Sequence, residues 1–576
     1  MTFLARPGTT GDEPHYLLIA DSLLYDHDVD LLNNYNPTTI LRYYSSPNLG
    51  FAAIDYRGIG KFYPPHQLGF PLVLALLLGI WNSLDFVRLA MIAISSLFGL
   101  QLYLLLRDLH PEYQLERWLV LISVLFSMPI IAYSSQILPE MLAALLVTFA
   151  LRFLASAQPT TRHLLAVGLM AAVLPWLHLR YTLFTGAILA TAICCYYRKV
   201  FVSRLLLLIY PALASAVLYC IVSLNLYGTL LPTGAYAPIA DSKQLYTTDS
   251  IYMFSIGSLL SPDYGLLPWA PIYLLSLAGI SVAVRRFKIT IIWTCAFLLY
   301  LVQIGWIFGF GWGIPPRYLV VWIPLLAVVL YFVVISSKVF RTIFVPLSII
   351  SLAIAAAAVT HFPDLYSDAI TGRPRAPIAS TLQHIWPQYF AYTPGFSLRS
   401  SDAPHVIGQV SEDHGGVLRA DPTIDKPGVL MYGPYKSLSP GDYTATYTIA
   451  GLPSNVDEPV AIVSIAEWPV IEVAKRAIYG HELHGLEDLV EVSLDFHSNG
   501  LRQAQSIVFW TGNGELLVHE ATVRNNTNPL DPKWVIPSAL MTLSWIVILM
   551  TLSVVIYATS IADIAPHSAT YQHDRG

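Results

Sequence analysis

Six carboxylates, Asp12, Glu13, Asp21, Asp26, Asp28 and Asp30, crowd residues 12–30 of a 576-residue chain in which only 12% of residues are charged. Side chains of this type do two kinds of chemistry. A carboxylate beside an attacking hydroxyl can take its proton, and several hard oxygens together can hold a divalent cation. Each has a structural alternative: Asp12 and Glu13 can cap a membrane-surface helix after Thr10, where acidic residues meet the positive end of the helix dipole, and Asp26, Asp28 and Asp30 can form a solvated acidic loop. Glu140, directly after Pro139, heads an apolar run. An ionisable group there is costly unless it faces a polar cavity, although a helix-start glutamate after proline is also ordinary.

The elements that must carry these residues are mostly apolar. The chain is 55% hydrophobic and 12% aromatic, with a mean hydropathy of +0.57 and a pI near 6.3. Repeated apolar runs of bilayer length mark a polytopic helical membrane protein, and the net charge of −5 excludes a basic nucleic-acid-binding surface. Cys194, Cys195, Cys220 and Cys295 all fall inside apolar runs and read as small buried hydrophobes. The runs predict crossings near 86–106, 117–134, 138–156, 163–178, 182–197, 203–226, 266–284, 289–308, 317–336, 340–359 and 534–558. The shorter 68–81 run, interrupted by Gly69, Pro71 and Gly79, predicts an interfacial or re-entrant helix.

Basic segments fix the parity of these crossings. "RKVFVSR" (198–204), "RRFK" (285–288), "SKVFR" (337–341) and the Arg107 to Arg117 link are cytoplasmic by the positive-inside rule. The opposite face then receives the acidic segment to about residue 67, the start of the 138–156 helix, the "HLRY" turn (178–181), the 228–265 loop and "FGFGWGIPPR" (308–317). It also receives a soluble domain between 361 and 533. That domain reads as an antiparallel β-sandwich, because "GDYTATYTI" sets Tyr443, Ala445, Tyr447 and Ile449 on one face, and "LVEVSLDF" repeats the alternation with Val490, Val492, Leu494 and Phe496. Tyr432, Tyr435, Tyr443, Tyr447 and Trp510 suit either a sandwich core or a glycan-stacking platform, and alternation favours the core. The spacing of His481 and His484 in "GHELH" is not that of a zinc-protease helix.

Six stretches, in order, resemble the landmarks of one superfamily: "GDEPHYLLIADSLLYDHDVDLLNNY", "YPPHQLGFPLVLAL" (63–76), "YSSQILPEMLAALL" (133–146), "PWLHLRY" (175–181), "SPDYGLLPWAPIYLL" (261–275) and "PPRYLVVWIPLL" (315–326). They are similar to those of the polytopic GT-C glycosyltransferases, and within them to bacterial relatives of the protein O-mannosyltransferases and the lipid A aminoarabinose transferases. The resemblance covers about residues 1–360. The patterning of the remaining sequence sets an extracytoplasmic β-sandwich (361–533), a last membrane helix (534–558) and a cytoplasmic tail (559–576) beyond it, and the resemblance itself implies a GT-C-like transmembrane module (68–360) after a first external acidic loop (1–67). It further implies a multi-pass protein of the plasma (inner) membrane, transferring sugar on its extracytoplasmic face from a polyprenyl-phosphate-linked donor to a glycan, lipid or protein acceptor, with inversion.

By the same resemblance Asp12, Glu13 and Glu140 are the catalytic candidates. Asp12 would be the base, or a positioner of acceptor and metal, and Glu140 would stand for the second external acidic residue. Arg180 and Arg317, at the external ends of spans, would grip the donor phosphate in bidentate fashion or simply anchor their helices by snorkelling. Tyr16, His66, His178 and Tyr264 would line the acceptor or donor pocket, although His66 and His178 suit interfacial packing or hydrogen bonding better. A divalent cation, if used, would be weakly held near Asp12 and Glu140. Members of the superfamily carry a membrane helix before the acidic loop, whereas only "MTFLARPGTT" precedes Gly11, which favours a late start. The sandwich is expected to cap the cavity. A transporter or flippase of lipid-linked saccharides and a non-catalytic envelope glycan-binding protein are the alternatives; the first should show inverted repeats, which the sequence lacks, and the second has no need of eleven spans.

Overall fold

The computed structural model describes residues 9, 11–44, 47, 49–155, 160–196, 202–236, 255–260, 265–286, 290–304, 316–361, 395–411, 416–438, 441–467, 471–498 and 503–526. The chain forms two compact units, Met1–Asp368 with Ile546–Gly576, and Ala369–Trp545. The predicted 534–558 span, the 559–576 tail and Tyr264 lie outside the described residues.

The first unit is helical. Its opening segment holds α1 (Glu13–Asp21) and α2 (Pro37–Tyr43), followed by α3 (Gly69–Ile80), α4 (Leu84–Leu109), α5 (Gln114–Phe126), α6 (Ile130–Tyr133), α7 (Glu140–Leu154), α8 (Thr161–Leu177), α9 (Thr182–Tyr196) and α10 (Val202–Tyr227). Among the described residues, five segments are long and apolar enough to cross a membrane: Leu84–Leu109, Leu179–Tyr196, Arg204–Tyr227, Arg317–Ser336 and Lys338–Ala358. The 12-residue α3 has the short length expected of the 68–81 run.

Two expected crossings are not continuous helices. The 117–134 run breaks between α5 and α6 at Ser127–Pro129, and the 266–284 run divides into Leu266–Trp269, Tyr273–Ala278 and Ile280–Arg286. The second division falls at Pro271, which has no N–H to donate, and at Gly279, which closes the middle piece. Close helix crossings are made where a side chain is absent. A Cβ at Gly168 of α8 would stand 2.5 Å from the carbonyl oxygen of Leu208 in α10, and one at Gly69 of α3 would stand 2.6 Å from that of Trp176 in α8.

The second unit is an antiparallel two-sheet sandwich. Its strands are β1 (Gly395–Arg399), β2 (Gln409–Ser411), β3 (Val417–Ala420), β4 (Gly428–Ser437), β5 (Gly441–Leu452), β6 (Pro459–Glu467), β7 (Ile471–Tyr479), β8 (Gly485–Ser498), β9 (Gln503–Trp510) and β10 (Glu515–Asn525). One sheet runs β2-β3-β10-β5-β8 with β1 also on β10, and the other runs β4-β9-β6-β7. Tyr443 opposite Phe496 and Tyr447 opposite Val492 put the inward faces of β5 and β8 in register. Tyr443, Tyr447 and Trp510 are fully buried in the core between the sheets, which satisfies the alternation as the core reading requires; Tyr432 is half-buried. His481 and His484 are exposed.

Candidate active site

Four charged residues from four distant parts of the chain meet inside the helical unit. Asp12 is the N-cap of α1, and Glu140 is the first residue of α7, set by Pro139. Arg180 lies in the single turn Leu179–Tyr181 before α9, and Arg317 opens the 3-10 turn Arg317–Trp322 that leads into the helix Ile323–Ser336. All four therefore sit at helix starts. Carboxylates are stabilised there by the positive end of the dipole, and guanidiniums at the same ends require carboxylates beside them.

The pairing supplies those partners. Glu140 Oε1 accepts from Arg180 Nη2 at 2.6 Å and from Arg317 Nε at 2.7 Å. Arg317 Nη1 donates to Asp12 Oδ2 at 2.5 Å. The Glu140 and Arg180 side chains are each 1% exposed and that of Arg317 is 3% exposed, whereas the Asp12 side chain keeps 23%. Two carboxylates and two guanidiniums balance in charge, which is what makes their burial tolerable. Asp12 is the partly open end of the chain of contacts.

Arg180 is also held by neutral groups. Its Nη2 donates to Tyr181 Oη at 3.0 Å, its guanidinium lies 4.1 Å from the centroid of the Tyr318 ring, and its backbone N–H donates to His178 Nδ1 at 3.3 Å. Nevertheless its Nε and Nη1 are buried without a hydrogen-bond partner among the described residues, as is Glu140 Oε2. Buried polar atoms are almost always satisfied. The site thus presents unused donors and an unused acceptor, and the complementary ligand carries both an anionic oxygen and a hydroxyl.

The remaining predicted residues distribute themselves around this cluster. Tyr16 is buried against Phe70, with ring centroids 5.4 Å apart, and against His66 at 4.8 Å. His66 lies 6.1 Å from His15. His178 stacks on Tyr236 at 6.3 Å, whose hydroxyl donates to Gln67 Oε1 at 3.0 Å. Glu13 points elsewhere: its Oε1 accepts the backbone N–H of Ile137 at 2.7 Å, so it fastens α1 to the turn before α7. The rest of the acidic stretch is spent on local structure. Asp21 accepts from Tyr43 Oη at 2.7 Å, Asp26 from Asn34 Nδ2 at 2.8 Å, Asp28 from Ser22 Oγ at 3.0 Å, and Asp30 from the Phe62 N–H at 3.0 Å. These bonds tie the acidic segment together locally.

Burial acts on the titrating groups nearest Asp12. Burial alone would raise the Asp12 carboxyl, but the Arg317 guanidinium and His66 oppose it and hold it down at about 2. Burial pushes His15 down to about 4, aided by His66 and opposed by Asp12. His66 is lowered by the same desolvation. Sequence reasoning passed over His15, although a position three residues after Asp12 on α1 places it on the same face; its Nδ1 is 2.7 Å from Tyr35 Oη. It also passed over Tyr318, whose signal was only its place beside Arg317.

The expected weak cation site fits these residues poorly. Asp12 and Glu140 are both engaged by Arg317, and among the described residues no group of three His, Cys, Asp or Glu side chains gathers as metal ligands do.

No family model matches the sequence, and no curated protein does. Among solved structures the chain is similar to the cryo-EM structure of the arabinosyltransferase EmbB from Mycobacterium smegmatis, at 11% identity and a TM-score of 0.33, over 90% of this chain and 62% of that one. The chain therefore spans less than two thirds of that neighbour's length.

Proposed function

We propose that the protein is a GT-C-type membrane glycosyltransferase that moves a sugar from a polyprenyl-phosphate donor to an envelope acceptor on the extracytoplasmic face of the inner membrane. The observation that carries this reading is the buried Asp12, Arg317, Glu140 and Arg180 cluster, with unpartnered donors on Arg180 and an unpartnered acceptor on Glu140. It draws together four of the residues that the superfamily resemblance singles out.

In the proposed reaction the acceptor hydroxyl oxygen bonds to the anomeric carbon while the bond from that carbon to the donor phosphate oxygen breaks. The bonding pair leaves with the phosphate, and the hydroxyl proton passes to Asp12. Arg180 holds the departing phosphate through one of its two unpartnered donors, Nε or Nη1, which lie on opposite edges of the guanidinium on either side of the Nη2 that bonds Glu140, in a buried setting where a charge-assisted hydrogen bond is strong. Glu140 fixes both guanidiniums by its shared Oε1 and offers Oε2 to a sugar or acceptor hydroxyl. Attack from the side opposite the phosphate inverts the anomeric centre. Tyr16, His66 and His178 form the adjoining wall, and the superfamily resemblance is the ground for assigning Tyr264 to the same pocket.

Asp12→Asn tests the assignment. It keeps the size of the side chain and removes its basicity, so transfer of lipid-linked sugar by protein that still inserts and folds should fall at least about 100-fold, with some loss of thermal stability because Arg317 loses one of its two anions. Transfer at the wild-type rate would remove Asp12 from the chemistry. A protein that moves lipid-linked sugar across the bilayer without transferring it would be a flippase instead.

A further inference from the structure

Arg317 does two jobs that conflict. Its Nε donates to Glu140 and its Nη1 donates to Asp12, so the carboxylate proposed to take the acceptor's proton is tied up by a guanidinium. A carboxylate so paired is a poor proton acceptor. Arg180, fixed to the same oxygen of Glu140, has the opposite arrangement: its Nε and Nη1 have no partner among the described residues. Because Glu140 Oε1 is the hinge common to both guanidiniums, an anion that settles on Arg180 arrives beside Arg317 and competes for it with Asp12.

We propose that Arg317 is a latch: a phosphate group taken up by Arg180 draws the Arg317 guanidinium away from Asp12, releasing the carboxylate toward the acceptor hydroxyl only when the phosphate is in place. This deepens the glycosyl-transfer reading and rests on it for the identity of the phosphate. Three features of the geometry support it. Asp12 is the most exposed member of the cluster, so water or a hydroxyl can replace the guanidinium it loses. Glu140 keeps Arg317 anchored through Nε while Nη1 changes partner. The Asp12 carboxyl, held at about 2 while the latch is closed, gains proton affinity when Nη1 leaves. The latch makes donor binding precede activation of the acceptor.

The competition predicts a binding result independent of turnover. In the purified full-length protein, Asp12→Asn should bind farnesyl phosphate more tightly than wild type by about tenfold, the scale of one charge-assisted hydrogen bond no longer given up. Deleting any negative charge near an anion site raises affinity, so the decisive measurement is the cycle with Arg317→Gln. If Asp12 acts through Arg317, Asp12→Asn confers no gain in the Arg317→Gln background. A gain of the same size in both backgrounds, or none in the wild-type background, overturns the latch. Asp12→Ser replaces Asp12→Asn should the latter fail to fold.

Two further arms separate the latch from the reading beneath it. Arg180→Gln should weaken farnesyl phosphate binding. Unaltered binding there would mean that phosphate does not use this cluster, and both the latch and its donor site would fall, whereas a failed cycle with intact Arg180 dependence removes the latch alone. Inorganic phosphate tests the headgroup without the lipid. A gain with both probes shows that the headgroup works the latch, and a gain with farnesyl phosphate only shows that the lipid-linked form is needed.

Discussion

At the scale of single residues, the environment of Asp12 is set as much by its neighbours on α1 as by Arg317. His15 titrates near 6.5 in an unfolded chain, but burial and His66 push it down to about 4 in the folded protein. The unfolded state therefore takes up a proton first as pH falls. Stability from the neutral ring is complete above pH 6.5 and is lost as pH drops toward 4. We expect thermal stability in detergent to decline over that window, and His15→Gln to flatten the decline by on the order of 2 kcal/mol, allowing for the ring's partial exposure. His66 is lowered in the same direction, so the flattening is incomplete. A wild-type melting temperature constant from pH 6.5 to 4 would contradict the buried neutral imidazoles. Legibility at this scale was uneven for a physical reason. Glu140, Arg180 and Arg317 are readable as charges at the ends of apolar runs, where each must find a partner, whereas Asp12, one of six crowded carboxylates, is singled out only by the superfamily resemblance. Which carboxylate pairs with which guanidinium depends on contacts between residues 40 to 305 positions apart, and Glu13 shows the consequence. Adjacent to Asp12 in sequence, it is turned by the helix toward the backbone of Ile137.

Among the elements, the described runs at 86–106, 138–156, 163–178, 182–197, 203–226 and 340–359 are single helices, three of which carry Pro175, Pro211 and Pro346 inside them. A proline alone therefore does not end a run, whereas 117–134 and 266–284 are each broken next to one. Pro129 and Pro271 lack the donor N–H, and hydropathy is blind to that. Hydropathy is equally blind to interhelical distance, which Gly168 determines. With a Cβ at 2.5 Å from the Leu208 carbonyl oxygen, Gly168→Ala forces α8 and α10 apart, and overpacking of this kind costs about 1–3 kcal/mol. Gly186 in α9 is the control, because a Cβ there meets nothing within 4 Å. Gly186→Ala should leave stability unchanged or raise it by up to about 1 kcal/mol through helix propensity. Melting of the two variants side by side tests the crossing. Equal behaviour would mean that the α8–α10 approach is looser than the backbone positions require.

For the molecule as a whole, the two units are stabilised by different physics. The helical unit buries a charged cluster and crosses helices at glycines, while the second unit has an apolar core that alternation made legible: Tyr443, Ala445, Tyr447 and Ile449 of β5 all point inward, with Asp442 exposed and Thr444, Thr446 and Thr448 only half-buried on the other face. What alternation did not convey was strand order, since β10 lies between β3 and β5 and β9 between β4 and β6, and pairings so distant in sequence leave no local pattern. The polar tips of the buried aromatics are satisfied inside the unit itself. Tyr447 Oη donates to the Ser464 carbonyl at 2.8 Å, and Trp510 Nε1 donates to the Gly514 carbonyl at 3.0 Å. A core whose large aromatics are buried and bonded within the two sheets holds its own apolar interior, so residues 395–526 expressed alone should give a soluble protein with a β-type circular dichroism spectrum and one cooperative melt. Trp510→Ala should cost about 3–5 kcal/mol in that melt, as the removal of a fully buried aromatic does. A fragment that remains unfolded, or one indifferent to Trp510→Ala, would show that the sandwich draws its stability from the rest of the chain.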